Sequence, residues 1–287
     1  MKLTNRFGIP ETVLRAIRAD DYSRGEADIS VTGLLRPPQM SVLEKRHHKE
    51  LEIDARDEVW KLWGQAVHAI IEKANRGQNE QQVERRLFVE IGGWKLSGQT
   101  DSMDEASNKL TDYKVIPEFT ARQDKIEWEQ QLNCYAFLWH VAEGIHIKEL
   151  EVVAILRDWR RAEAERNPDY PQAPVVTIPI NIWPAKDQRA FILNRIVAHR
   201  SARLRGAQDM ALPPCTDEER WQRTKTFAVK KIGGKRAVKV YDSNAEVLAA
   251  LSTGQEVEQR GGGYARCEGW CSVSRFCNQW KKENGNG

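Results

Sequence analysis

With 287 residues, the chain is long enough for one sizeable core and an appended subdomain. Charged residues make up 30% and apolar ones 40%, the balance of a soluble globular protein, and no stretch approaches the roughly 20 apolar residues of a membrane helix. The net charge of +3 argues neither for nor against nucleic acid, because local clustering decides that.

The opening residues carry acids and no apolar signal core. No secretory signal is therefore expected, and the expected location is the cytoplasm of a prokaryotic or phage-infected cell. In that reducing setting clustered cysteines favour metal or cluster ligation over disulfides.

In chain order, PETVLRAIRADD (10–21) reads as a short helix, and ISVTGLLRPPQ (29–39) as a strand or turn stopped by Pro37 and Pro38. The clearest helix covers 54–75. Val59, Leu62, Trp63, Ala66, Val67, Ile70 and Ala74 recur there at helical spacing, with Asp54 as N-cap and Gly77 as stop. Strands are predicted at 84–91, 94–103 and 108–116, joined through Gly92-Gly93 and the polar DEASN stretch. A helix at 123–143, strands at 149–156 and 175–182, and a helix at 186–205 follow. That order predicts an α/β core with a mixed sheet flanked by helices. Beyond Pro213 come a basic hairpin at 225–241 turning at Gly233-Gly234, a short helix at 243–252, and three cysteines at 267–277. The expected organisation is an N-terminal segment (1–50) closing onto a core (51–212), a hairpin and cysteine subdomain (213–280), and a disordered tail (281–287).

The chemistry concentrates at 98–114. Asp112 and Lys114 share one face of a strand by alternation, and Asp101 can approach them from the neighbouring strand. Two carboxylates and an ammonium suit phosphodiester hydrolysis: hard oxygens hold Mg²⁺ or Mn²⁺, and the lysine positions water or offsets charge developing on phosphorus. An exposed cross-strand ion pair would explain the same triplet. His68 and Glu72 lie four apart on the preceding helix, and Gln131 and Tyr135 four apart on the following one. Either set can reach the site or simply pack. Glu72 and Glu90 are candidate supporting acids.

Taken together, GQAVHAIIE (64–72), GQTD (98–101), DYK (112–114) and QLNCY (131–135) form an ordered set. It resembles the RecB-type branch of the PD-(D/E)xK nucleases, over roughly residues 28–140 and again in the cysteine tail. The resemblance implies a restriction-endonuclease-like core. It implies that His68, Asp101, Asp112 and the carbonyl of Tyr113 bind the metal, that Lys114 is catalytic, and that Gln131 and Tyr135 position substrate or Lys114. The activity implied is a Mg²⁺- or Mn²⁺-dependent DNA exonuclease, acting in phage or prokaryotic recombination, repair or defence. Its partners would be single-stranded or duplex-end DNA and recombination or repair proteins, with no membrane partner. The alternative is a non-catalytic nucleic-acid-binding or recombination-partner protein on the same fold. A third reading is a structural zinc module tethering a complex.

Cys267, Cys271 and Cys277 stand in CEGWCSVSRFC, with Cys215 as the natural fourth ligand. Four thiolates suit a [4Fe–4S] cluster or a structural Zn²⁺. The tail resembles the cluster-bearing tails of CRISPR-associated and AddB-type exonucleases, which favours iron–sulfur. Those relatives take one cysteine from the N-terminal segment, where this chain reads LLRPPQ, so Cys215 would replace it. Cys134 reads as a buried thiol. Lys225, Lys230, Lys231, Lys235, Arg236 and Lys239 form one basic group, and Arg157, Arg160 and Arg161 another; each can contact phosphates or stand as a solvated face. One or two of the ten tryptophans could stack on unpaired bases.

Overall fold

The computed structural model describes residues 2–19, 25–77, 81–123 and 126–284. It divides into two compact units. One comprises Met1–Arg36 and Glu52–Ser201, the other Pro37–Leu51 and Ala202–Gly287.

The first unit is mixed α/β. It contains β1 (Lys2–Thr4), α1 (Glu11–Arg18), β2 (Ile29–Ser30) and α2 (Val31–Leu35). Its later part contains β3 (Glu52–Asp54), α4 (Ala55–Asn75), β4 (Gln81–Ile91), β5 (Trp94–Asp104) and β6 (Lys109–Ile116). The short α5 (Glu118–Ala121), α6 (Ile126–Glu143), β7 (Glu149–Leu156), α7 (Arg161–Ala164), β8 (Val175–Ile180) and most of α8 (Ala185–Ala207) follow. The second unit starts with α3 (Pro38–Arg46). Pro38 does not stop structure as expected but opens this helix, where a missing N–H costs nothing. Residues 20 and 21 of the predicted first helix, and 124 and 125 of the predicted 123–143 helix, lie outside the described residues.

The central sheet runs β2-β5-β6-β7-β8, with β4 also paired to β5. β4 and β5 form a long antiparallel hairpin around Gly92-Gly93, both at positive φ, as a two-residue turn requires. On the opposite edge of β5, β2 pairs in parallel only at Leu96 and Ser97, and β6 pairs antiparallel only from Ser102 to Asp104. β6 then pairs in parallel with β7 along its whole length. The sheet is therefore mixed and opens between β5 and β6 just where Asp101 and Asp112 stand.

One face of the β4–β5 hairpin carries Leu87, Val89 and Leu96 and packs on α6, which buries Leu132, Tyr135, Ala136, Leu138 and Trp139. Gly98 belongs to that face. A Cβ there would meet Leu138 at 2.5 Å and the Tyr135 ring at 2.9 Å, so only glycine admits α6 so closely. α4 is capped as predicted, with Asp54 accepting from the Arg56 N–H at 3.1 Å. Its predicted apolar stripe is corrected: Trp63 is 42% and Ile70 68% exposed, and Ala55 is the helix's buried residue. No described helix is long and apolar enough to cross a membrane.

The second unit contains an antiparallel sheet of β9 (Thr226–Lys231), β10 (Ala237–Tyr241) and β11 (Gln255–Arg260), ordered β10-β9-β11. α9 (Asn244–Ala250) lies between its last two strands in sequence, and α10 (Asn278–Glu283) follows the cysteines. The hairpin and short helix fall where predicted, and β11 is an unpredicted third strand. The expected 281–287 tail is corrected in its first part: α10 continues to Glu283, whose carboxylate accepts from Arg220 Nη1 at 3.0 Å. Residues 285–287 lie outside the described residues.

Candidate active site

The opening between β5 and β6 makes side chains do work that backbone pairing would otherwise do. The Tyr113 N–H donates to Asp101 Oδ2 at 2.8 Å, so the carboxylate takes the place of a ladder partner. The Tyr113 carbonyl, which belongs to the next peptide, lies 2.9 Å from His68 Nε2 of α4. Asp101, Tyr113 and His68 are thus fixed to one another from three elements.

Asp112 is buried, and its Oδ2 lies 2.7 Å from Lys114 Nζ. Lys114 Nζ also donates to Gln131 Oε1 at 3.4 Å, and Gln131 Nε2 donates to the Tyr135 hydroxyl at 3.0 Å. The predicted site residues of this unit thus stand in two sets, His68–Asp101–Tyr113 and Asp112–Lys114–Gln131–Tyr135, whose charges act on one another. Glu72 instead pairs with Arg76 at the end of α4, and Glu90 lines a separate open pocket beside His140 and Arg189.

Burial pushes the Asp112 carboxyl up from its ordinary range and the charge of Asp101 adds to this, while Lys114 and His68 pull the other way. Burial disfavours the Lys114 ammonium, yet Asp112 and Asp101 outweigh it and hold the group above its ordinary range. His68 is raised to about 10, first by Asp101 and then by Glu84, against the effect of its burial.

Glu84 is the participant sequence reasoning missed. Among the described residues, His68, Glu84 and Asp101 form the one trio of side chains whose ligand atoms lie within 4.8 Å of one another. His68 Nδ1 is 3.5 Å from Asp101 Oδ1 and 3.8 Å from Glu84 Oε1. The register Val83↔Ser102 and Arg85↔Thr100 sets Glu84 directly opposite Asp101. Counting back from the two-residue Gly92-Gly93 turn gives that pairing from sequence alone. Two acids directly opposed across strands repel. Glu84 also holds a left-handed φ of 49°, which costs a side-chain-bearing residue about 1–2 kcal/mol. Both costs concentrate negative charge at one point. Hard carboxylate oxygens with one imidazole and a carbonyl are a donor set that fits Mg²⁺ or Mn²⁺.

In the second unit, Cys215, Cys267, Cys271 and Cys277 line a single small cavity. Cys215 and Cys277 both donate their thiols to Gln39 Oε1 of α3, at 3.3 and 3.5 Å. Burial pushes the Cys215 thiol up to about 12, and nearby Glu219 and the other thiols add to this. Cys134 is buried within α6 of the first unit.

No family model matches the chain, and no curated protein does. Among solved structures, one described as SSO0001 is similar over 64% of this chain and 83% of its own, at 20% identity and a TM-score of 0.45. A phage-related exonuclease from Haemophilus somnus 129PT is similar over 64% of this chain and 77% of its own, at 13% identity and a TM-score of 0.28.

Proposed function

We propose that the chain is a Mg²⁺- or Mn²⁺-dependent deoxyribonuclease on a restriction-endonuclease-like core, of the exonuclease type, serving phage or prokaryotic recombination, repair or defence. The observation that carries this reading is the convergence of Asp101, the buried Asp112–Lys114 pair, His68 and the Tyr113 carbonyl at the gap between β5 and β6. His68, Asp101, Asp112 and the Tyr113 carbonyl would hold the ion. When bound, it polarises the scissile phosphate and lowers the pKa of a water.

The protein's own groups supply the rest. Lys114 is held charged by its carboxylate neighbours, so it donates a hydrogen bond to the attacking water or to a phosphate oxygen as negative charge develops there. Gln131 fixes the ammonium, and Tyr135 fixes Gln131. Water attacks phosphorus and gives a proton to solvent, the bond to the leaving oxygen breaks, and that oxygen takes a proton from solvent.

DNA as the substrate is supported by an exposed aromatic pair on α4. Trp60 and Trp63 stack at 5.6 Å between centroids, and the Arg157 guanidinium lies 3.9 Å over Trp60. Such a surface stacks on unpaired bases regardless of sequence. In the second unit we assign a [4Fe–4S] cluster to the four cysteines. Cys215, Cys267, Cys271 and Cys277 line one cavity, and four thiolates with the spacing of this tail suit such a cluster.

The test is digestion of 5′- and 3′-labelled single- and double-stranded DNA with Mg²⁺ or Mn²⁺. Release of short products is expected, with Asp112→Ala and Lys114→Ala each slowing it by about 10²–10³-fold while DNA binding persists. Binding without cleavage by the wild-type protein would instead support a non-catalytic DNA-binding role.

A further inference from the structure

Glu84 belongs to none of the sequence motifs, yet the fold places it with care. Its Oε1 faces His68 Nδ1, and its Oε2 accepts from Gln99 Nε2. Gln99 in turn accepts from Arg86. Residues 84 and 86 of β4 stand opposite 101 and 99 of β5, so these four side chains share one face of the hairpin. The Arg86–Gln99 pair thus anchors one oxygen of Glu84 and leaves the other for the imidazole.

The two ring nitrogens of His68 have different company. Nε2 is 2.9 Å from the Tyr113 carbonyl oxygen. That is close to the separation of two adjacent ligands of an octahedral ion with bonds of about 2.0–2.1 Å. Nδ1 faces only carboxylates. Were Asp101 drawn onto an ion, Glu84 Oε1, 3.8 Å from Nδ1, is the carboxylate left beside that nitrogen.

Resting on the nuclease reading above, we infer that Glu84 is a positioning residue of a carboxylate–histidine–metal relay. It holds the Nδ1–H of His68, so that Nε2 presents its lone pair beside the Tyr113 carbonyl. A bound ion would take the Nε2 lone pair, and the one remaining ring proton would sit on Nδ1, on the side of Glu84. Outer partners of this kind fix the ring and raise its basicity, and their loss costs about 10–100-fold in metal affinity.

The experiment is Mn²⁺ binding to the full chain, read by calorimetry and by the spin-resonance signal of free Mn²⁺, with melting in EDTA as the check on folding. Glu84→Gln is expected to melt like wild type in EDTA and to bind Mn²⁺ about 10–100-fold more weakly. In a His68→Gln background it should cause no further loss, because its effect passes through the imidazole. Unchanged affinity in Glu84→Gln would overturn the proposal. So would losses that simply add in the double variant, which would make Glu84 a ligand in its own right. If Glu84→Gln does not fold, Gln99→Met carries the same test by freeing the Glu84 carboxylate. A wild-type protein that binds no Mn²⁺ would sink the nuclease reading itself, and this inference with it.

Discussion

At the scale of single residues, the site is organised against stability. A buried ion pair such as Asp112–Lys114 seldom gains more from attraction than it loses in desolvation. Glu84 and Asp101 add like charges on opposed positions. The protonated imidazole of His68 relieves this in the metal-free protein, which gives a pH prediction. His68 is raised from 6.5 to about 10 in the folded state. A group with a raised folded pKa stabilises fully below its unfolded value, and the stabilisation fades as pH climbs through the folded one. In EDTA, wild type should therefore exceed His68→Gln in urea resistance most at pH 6 and below. The gap should shrink steadily between pH 6.5 and 10. Urea melts of both proteins at several pH values measure it, and a gap that widens with pH would contradict the charged-imidazole account.

At the scale of elements, the β4–β5 hairpin, β6 and α6 were legible because their signals are local. They rest on a two-glycine turn, alternating strands, and a helix apolar enough to be buried. The convergence of Asp101, Asp112 and Lys114 followed from strand alternation. α4 shows where pattern fails. Its periodic apolar residues promised a buried face, yet Trp63 and Ile70 of that stripe are exposed, because periodicity states which residues share a side and not what covers it. Glu84 was hidden for a different reason: its role comes from cross-strand register, which no motif spells out. Gly98 joins motif to packing, since it lies three residues before Asp101 and under the Tyr135 ring. Gly98→Ala must push α6 away from β5. The expected cost is about 1–3 kcal/mol in urea denaturation, the usual range for overpacking. Tyr135 and Gln131 should move with the helix, so cleavage should fall by more than the lost stability explains. A neutral Gly98→Ala would show that α6 can yield without disturbing Lys114.

At the scale of the whole molecule, the two units are stabilised by different means. The first buries a continuous apolar core between sheet and α6. Around the cysteines of the second, the buried residues Leu43, Leu51, Val273 and Cys277, with Met40, Leu212, Cys271, Phe276 and Trp280 packed on them, form a smaller core than the first unit's. Gln39 offers its carbonyl to two of the thiols, and burial keeps the thiols of Cys215 and Cys271 protonated when no ion draws the protons off. Ligation would convert these costly groups into crosslinks and couple cluster assembly to folding of this unit. Anaerobically purified protein should absorb broadly near about 400 nm and contain iron. Cys277→Ser should bleach that band and expose residues 202–284 to rapid tryptic cleavage, while fragments covering 52–201 persist. If the wild type is colourless with one equivalent of zinc, the cluster assignment fails but the crosslink argument stands. If Cys277→Ser is digested at the wild-type rate, the thiols are packing residues and this unit holds together without them.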